Sequence, residues 1–232
     1  MSSTPLPANV HVSNHPCLQA KLSQLRSAST TSRETKALVN EIALIIGCEA
    51  LASSVKSSDG GTDTTPLGYT YTTQTLSPSS ISLVPILRSG LGMTEALQTL
   101  LPSPVPIHHL GLYREPTSLQ PVEYYNNLPY HTSGPSSKNT SATPLAILLD
   151  PLIATGGTAA AAIQTLKEWG VERVLMLSVL GSEEGLRRAA EEWSEGVEVW
   201  VGGVDEGGVN EKGMIKPGLG DVGDRLFMAV GK

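Results

Sequence analysis

The amino-terminal part of the chain has the apolar periodicity of helices. The first helix carries apolar residues at helical spacing, namely Leu18, Leu22 and Leu25. A second helix is predicted to begin after Thr31, because Glu34 completes a capping box three positions later. Its apolar face is formed by Leu38, Ile42, Ile45 and Ile46. We expect both helices to lie against the core.

From residue 81 onward, short apolar runs alternate with amphipathic segments. The predicted order is strand 81–87, helix 91–101, strand 105–112, extended segment 122–128, strand 145–149, helix 158–169, strand 173–180, helix 183–193 and strand 197–201. Gly170 ends one of these helices and Ser182 caps another. The run 145–149 is apolar without interruption, which is typical of strands covered on both faces. The pattern predicts an α/β fold, with a mostly parallel sheet flanked by helices.

Two polar segments interrupt this alternation. Residues 53–80 are rich in Ser, Thr and Gly around an alternating stretch, 69–76, which favours a β-arm, with a mobile loop as the alternative. Residues 131–143 are predicted to form a flexible loop. We expect a single domain across residues 1–232, divided into amino-terminal helices (10–52), a variable arm (53–80), a core (81–204) and a carboxyl-terminal hood (205–232).

Composition narrows the classes of function. The chain has 232 residues and a formal charge of −6, which argues against a nucleic-acid-binding surface. It has no Lys/Arg run that would suggest a membrane patch, and residues 1–9 contain no basic segment leading into an apolar one. We therefore expect a cytoplasmic protein that binds neither nucleic acid nor membrane. Cys17 and Cys48 lack metal-ligand spacing and are interpreted as reduced apolar residues.

The segment that follows strand 145–149 carries the candidate chemistry. Asp150 ends the strand, and the sequence ATGGT at 154–158 leads into a helix. Glycines let a backbone wrap closely around a ligand, while free helix amides and Thr hydroxyls donate to phosphate. The absence of Lys excludes a nucleoside-triphosphate loop of the GxxxxGK[ST] kind. A carboxylate beside such a loop would repel phosphate but accept hydrogen bonds from ribose hydroxyls, so a sugar phosphate fits best. The alternative is a tight structural turn.

The sequence DPLIATGGT at 150–158 resembles the phosphoribosyl diphosphate loop of uracil phosphoribosyltransferases. Three further blocks are similar to that family: VPILRSGLGM at 84–93, HLGLYREPTSLQPVEYYNNLP at 109–129 and NEKGMIKPGLGDVGDRLF at 210–227. The resemblance runs from residue 10 to the end of the chain and is poorest over the arm. It implies a type I phosphoribosyltransferase-like fold and transfer of a phosphoribosyl group to uracil, giving UMP and diphosphate. It also implies Mg²⁺, a homodimer or higher homo-oligomer, and a GTP effector as an open option.

The resemblance also implies roles for particular residues. Phosphoribosyl diphosphate would be bound by Arg88, Arg114, Asp150, Pro151, Leu152, Ile153, Ala154, Thr155, Gly156, Gly157, Thr158 and Asp221. Uracil would contact Ile215, Gly220, Asp221 and Val222. The catalytic residues would be Arg88, Asp150 and Asp221. No residue is assigned directly to Mg²⁺, which would be held through diphosphate and water. Planar guanidinium groups suit phosphate because they offer paired donors.

Other features of the sequence receive structural interpretations. The GxGxxG pattern of Gly218, Gly220 and Gly223 is rejected as a dinucleotide site, because Pro217 precedes it and too few residues follow for a βαβ unit. Asp205 and Glu206 are interpreted as solvated loop acids that could shape the hood. Asp224 and Arg225 are interpreted as a structural pair.

The proton acceptor for uracil N1 stays open at this point. No His is a convincing base, so a carboxylate, a water held by backbone or diphosphate itself are the alternatives. A relative that kept the pocket but lost turnover is the second functional hypothesis, because Met214 stands where the family usually has Tyr. A third hypothesis keeps the phosphoribosyl transfer but replaces uracil with another nucleobase. Six-oxo purine enzymes commonly place two acids before the loop, whereas here Leu149 precedes Asp150.

Overall fold

The computed structural model describes residues 5–115, 120–129 and 143–229. Its helices are α1 (Pro16–Arg26), α2 (Ser32–Ser54), α3 (Leu91–Leu100), α4 (Gly157–Trp169), α5 (Glu183–Glu191) and α6 (Val222–Phe227). Its strands are β1 (Val10–Val12), β2 (Lys56–Thr64), β3 (Thr70–Ser77), β4 (Ile81–Leu87), β5 (Leu110–Arg114), β6 (Pro121–Asn126), β7 (Leu145–Leu149), β8 (Leu152–Ile153), β9 (Arg173–Ser178), β10 (Leu180–Ser182), β11 (Val197–Val201) and β12 (Val204–Asp205). The predicted loop 131–143 falls outside these residues, apart from Thr143.

Seven strands form the main sheet, in the order β1, β11, β9, β7, β4, β5, β6. All neighbouring pairs are parallel except β5 with β6. A second, three-stranded parallel sheet contains β12, β10 and β8. These pairings confirm the predicted α/β fold with a mostly parallel sheet.

Side chains of the central strands alternate between two apolar layers. In β7, Leu145, Ile147 and Leu149 pack into the layer that contains α1, α2 and α3. Ala146 and Leu148 face the opposite layer, with the apolar residues of α4 and α5. Successive strand residues point to opposite faces, so a strand covered on both sides must be apolar throughout. This arrangement explains the uninterrupted apolar runs in the sequence.

The second helix is a core helix. The capping box of Thr31 and Glu34 is present, as predicted. The helix is long and apolar enough to cross a membrane by length and composition alone. However, Ile42 and Ile46 are fully buried in the core, while Ile45 is only partly buried. Its apolar face therefore serves packing against the sheet and the neighbouring helices.

The predicted arm is an antiparallel hairpin of β2 and β3, with an irregularity between Asp59 and Gly61. Nearly all of its side chains are exposed. The hairpin confirms the prediction for this part of the chain.

Some predicted boundaries were wrong. The strand expected at 105–112 begins only at Leu110, because Pro104 and Pro106 lack the amide donors that a strand needs. The strand expected at 173–180 divides at Val179, whose amide donates to the Pro151 carbonyl instead of continuing the ladder. The edge strand β1 was missed, because three residues are too short for an alternation signal.

Candidate active site

Candidate residues that follow the central strands lie at one edge of the sheet. Arg88 follows β4 and Asp150 follows β7, and these two strands are hydrogen-bonded neighbours. In open parallel sheets, ligands bind beyond the carboxyl ends of the strands. A cleft of about 340 Å³ opens at this edge. Its lining includes most of the residues to which the resemblance assigns a role: Arg88, Asp150, Leu152, Ile153, Ala154, Thr155, Gly156, Thr158, Ile215, Gly220, Asp221 and Val222.

Three predicted residues stand apart from that lining. Pro151 and Gly157 belong to the same loop without lining the cleft. The backbone of Arg114 ends β5, but its side chain lies outside the described part of the structure. The sequence prediction therefore brings most of its residues together, and the placement of the Arg114 guanidinium stays a prediction.

The loop from Ala154 to Thr158 has the shape of a phosphate cradle. Gly156 adopts a left-handed conformation, with φ of 74°. A Cβ atom there would lie 2.5 Å from the Gly185 carbonyl oxygen, so only glycine fits. The amides in the first turn of α4 have no carbonyl partners within the helix, so they can donate hydrogen bonds to a bound anion.

Asp150 is buried at the bottom of the cleft, with 8% of its surface exposed. Ser89 Oγ donates a hydrogen bond to Asp150 Oδ1 at 3.1 Å. The turn that carries Ser89 is held against β7, because a Cβ atom at Gly90 would lie 2.3 Å from the Leu149 carbonyl oxygen. The two loops that follow β4 and β7 are thus joined by backbone packing and by one side-chain hydrogen bond.

Arg88 extends from this turn towards the hood. Its Nη2 lies 3.5 Å from Asp224 Oδ1, and its guanidinium lies 6.0 Å from the centre of the Phe227 ring. The Arg88 side chain is 54% exposed, so the contact with Asp224 is weak and screened. A more highly charged ligand can therefore draw the guanidinium away from Asp224.

The hood presents Asp221 at the start of α6. Its side chain accepts a hydrogen bond from the Asp224 amide at 3.0 Å and so caps the helix. Asp224 and Arg225 were expected to pair with each other, and this interpretation was wrong. Asp224 contacts Arg88, whereas Arg225 Nη1 donates to the carbonyl oxygens of Leu25 and Leu219.

Asp205 anchors the hood from below. It is 6% exposed, and its carboxylate receives two hydrogen bonds from Arg26, at 2.6 and 2.9 Å, and one from the Gly218 amide at 2.9 Å. Burial alone would raise the pKa of Asp205, but the hydrogen bonds from Arg26 and Gly218 and the Arg26 charge together lower it. The interpretation as a solvated acid was wrong for Asp205, although Glu206 is exposed. Arg26 is too distant in sequence for local patterns to reveal this pairing.

Sequence reasoning assigned no ligand role to two tyrosines that line the cleft. Tyr113 and Tyr124 stand on the paired strands β5 and β6, and their ring centres lie 6.1 Å apart. Met214 also lines the cleft, next to Ile215. The strand alternation in YREP and VEYY was the available signal, but it could not show which side chains face the cleft.

The described histidines lie away from the cleft. His11 stacks on Trp200, and His108 makes an edge contact with Trp169. Burial, followed by repulsion from His109, lowers the pKa of His108 and favours its neutral form. His131 lies outside the described residues. Among the described histidines, none is placed to act as the base.

Comparison with known proteins identifies the family. The uracil phosphoribosyltransferase family model matches residues 12–229. Uracil phosphoribosyltransferases of Finegoldia magna and Listeria innocua are 41% and 39% identical over 220 residues, which is 95% of this chain and 98% of each relative.

Solved structures agree in fold. A protein from Aquifex aeolicus is 30% identical, with a TM-score of 0.81 over 95% of this chain and 98% of its own. An adenine phosphoribosyltransferase from Trypanosoma brucei matches with a TM-score of 0.53 at 14% identity, over 91% of this chain and 90% of its own, and shows the fold alone. The sequence match across nearly the whole chain, together with the cradle and hood around one cleft, shows that the chain belongs to the uracil phosphoribosyltransferase family.

Proposed function

We propose that the chain transfers the phosphoribosyl group of 5-phosphoribosyl 1-diphosphate to uracil, giving UMP and diphosphate in pyrimidine salvage. Family membership supports this activity. The single structural observation that carries the proposal is the meeting of Arg88, Asp150 and Asp221 in one cleft beside the Thr155 cradle.

Each part of the cleft has a role in this proposal. The amides and hydroxyls of the cradle bind the 5′-phosphate, and Asp150 accepts hydrogen bonds from ribose hydroxyls. Arg88 and Arg114 hold diphosphate and stabilise the negative charge that develops as it leaves. The hood residues Gly220 and Asp221 match the polar edge of uracil. The reaction then depends on positioning and electrostatics.

We assign uracil as the nucleobase because the hood brings backbone groups close to the cleft. Gly220 has φ of 79°, and a side chain there would be strained although no atom lies near a Cβ position. Uracil is small and flat and offers only carbonyl and N–H groups. Competition among uracil, cytosine, hypoxanthine and orotate tests this choice, with uracil expected to be used and the others rejected.

Magnesium is proposed to act through the substrate. No group of three or more His, Cys, Asp or Glu side chains suited to a metal exists within residues 5–115, 120–129 and 143–229. Mg²⁺ keeps several waters and is commonly held by substrate phosphates with one or two carboxylates. Diphosphate oxygens would supply most ligands here, with Asp150 and Asp221 as the available carboxylates of the cleft. When bound, the ion neutralises charge on the leaving diphosphate.

UMP formation from uracil, phosphoribosyl diphosphate and Mg²⁺ tests the activity, with Asp221→Asn as the matched control. Asn is as good a helix cap as Asp, so this variant removes the charge and keeps α6. Turnover that is lost in Asp221→Asn supports the enzyme and the hood assignment. A folded wild-type protein that binds phosphoribosyl diphosphate without turnover would support the regulatory relative.

Several features stay predictions from the family resemblance. They are the homodimer or higher homo-oligomer, the open option of a GTP effector, and the cytoplasmic location. Measurement of molecular mass in solution tests the first, and titration with GTP during the UMP assay tests the second.

A further inference from the structure

We propose that Arg188 on α5 is an additional binding residue for the 5′-phosphate of the sugar substrate. This inference rests on the proposed function, in which the cradle after β7 holds that phosphate. It assigns a cation to a part of the site whose own sequence, ATGGT at 154–158, contains none.

Helix α5 is fixed against the cradle by hydrogen bonds of the Ser182 side chain and by close backbone packing at Gly185. Ser182 Oγ donates to the Ala154 carbonyl oxygen at 2.6 Å and accepts from the Gly185 amide at 3.0 Å. A Cβ atom at Gly185 would lie 2.2 Å from the Ala154 carbonyl oxygen. Helix α5 and the cradle loop cannot move apart without losing these contacts. Their relative position is therefore fixed.

The stem of Arg188 lies directly on the cradle glycines. A Cβ atom at Gly156 would lie 2.9 Å from the Arg188 Cβ. A Cβ atom at Gly157 would lie 3.4 Å from Arg188 Nη1 and 3.7 Å from Thr155 Oγ1. The guanidinium and the Thr155 hydroxyl are therefore no farther apart than the sum of these two distances. Because Gly157 has no side chain, no Cβ atom of that residue occupies the space beside both groups.

The charge of Arg188 is available to a ligand. The side chain is exposed, and it makes no ion pair with any residue in the described ranges. Neighbouring acids share its surface groove, namely Glu184, Glu191 and Glu192. By contrast, the adjacent Arg187 lies 3.3 Å from Glu183 and donates to the Pro5 carbonyl oxygen. Two consecutive arginines on one helix thus have different surroundings.

Arg188 does not itself line the cleft, so it approaches from the outer side of the loop. A phosphate held by the amides at the start of α4 would lie beside Gly157, on whose other flank the guanidinium rests. The proposal requires a change of the Arg188 side-chain rotamer that brings Nη1 towards an outer phosphate oxygen. Arginine suits this task because its guanidinium offers several donors in one plane.

Titration of the full chain with ribose 5-phosphate and, separately, with diphosphate tests the proposal. Arg188→Ala should weaken ribose 5-phosphate binding about five- to tenfold, because a charge-assisted contact at an exposed site is lost. Diphosphate binding should not change. Arg188→Lys should recover part of the affinity, and Arg187→Ala should behave like wild type.

The outcomes separate this proposal from the cradle assignment. If Thr155→Val weakens ribose 5-phosphate binding while Arg188→Ala does not, the proposed role of Arg188 is wrong and the cradle assignment is retained. If neither variant affects binding, both assignments fail. Equal losses in Arg187→Ala and Arg188→Ala, or equal losses for diphosphate and ribose 5-phosphate, would reduce Arg188 to general surface charge and overturn the proposal.

Discussion

Ser89 Oγ donates a hydrogen bond to Asp150 Oδ1 across the junction between the loops that follow β4 and β7. This hydrogen bond orients one oxygen of the Asp150 carboxylate, a residue that is 8% exposed, and so restricts rotation of the side chain. The hydrogen bond therefore directly connects Asp150 with the turn that carries Arg88.

Ser89→Ala should reduce kcat/KM for phosphoribosyl diphosphate by a factor of about two to ten, since a typical intramolecular hydrogen bond contributes roughly 0.5 to 1.5 kcal/mol. The uracil KM should stay unchanged, because Ser89 contacts Asp150 and not the hood. Steady-state kinetics with each substrate varied in turn measures both effects. A larger rise in the uracil KM than in the other KM would contradict this assignment.

Arg88→Ala should raise the KM for phosphoribosyl diphosphate far more than the KM for uracil, because we propose that the guanidinium binds diphosphate. Arg88→Lys should recover only part of the lost affinity for phosphoribosyl diphosphate, since an ammonium lacks the paired donors of a guanidinium. Asp224→Asn is the matched control: it removes the charge of the partly exposed partner of Arg88 and should change the same KM by less than about threefold. Unchanged kinetics in Arg88→Ala would exclude this residue from the site.

Thr155→Val should weaken phosphoribosyl diphosphate binding about tenfold, because the hydroxyl donor of the cradle is replaced by a methyl group of similar volume. The melting temperature should stay close to that of the wild type, since Thr155 is only partly buried. Kinetics and thermal unfolding together test the prediction. Full activity with normal stability would refute the cradle role of the hydroxyl.

Asp205→Asn should destabilise the folded chain by about 3 kcal/mol at neutral pH, because it leaves the Arg26 guanidinium without its carboxylate. The folded pKa of Asp205 is lowered, so its contribution is complete above its ordinary pKa of 3.8. The contribution is then lost as the pH falls through the lower pKa of the folded protein.

Urea unfolding of wild type and Asp205→Asn across this acidic range measures the difference in the free energy of unfolding. The gap between the two proteins should narrow as the pH falls below about 4. Glu206→Gln, at the exposed neighbouring position, serves as the control and should match wild type at every pH. A gap that is constant with pH would show that the charge of Asp205 is not what stabilises the hood.

The sequence predicted the sheet well because its strongest signals are local. The apolar run of β7 and the capping box at Thr31 depend on neighbouring residues, and both were confirmed. The meeting of Arg88 and Asp150 could be predicted because the carboxyl ends of adjacent parallel strands share one edge.

Long-range pairings could not be predicted in the same way. Arg26 and Asp205 are 179 positions apart, and nothing in either local pattern connects them. Similarly, the position of Arg188 beside Gly157 depends on how α5 packs against the cradle loop. Such contacts follow from tertiary packing, which the alternation of apolar and polar residues does not encode by itself.

The attachment of the hood to α1 has a consequence for synthesis on the ribosome. Arg26 emerges early, but its partners Asp205 and Gly218 are among the late residues, and Arg225 closes a contact with Leu25 over 200 positions. Because translation proceeds from the amino terminus, residues 154–158 of the cradle are made before the hood. A nascent chain that stops at residue 204 would contain the cradle but lack the hood residues to which we assign uracil. In the proposed function, recognition of uracil would therefore become possible only after residues 205–232 have been synthesised.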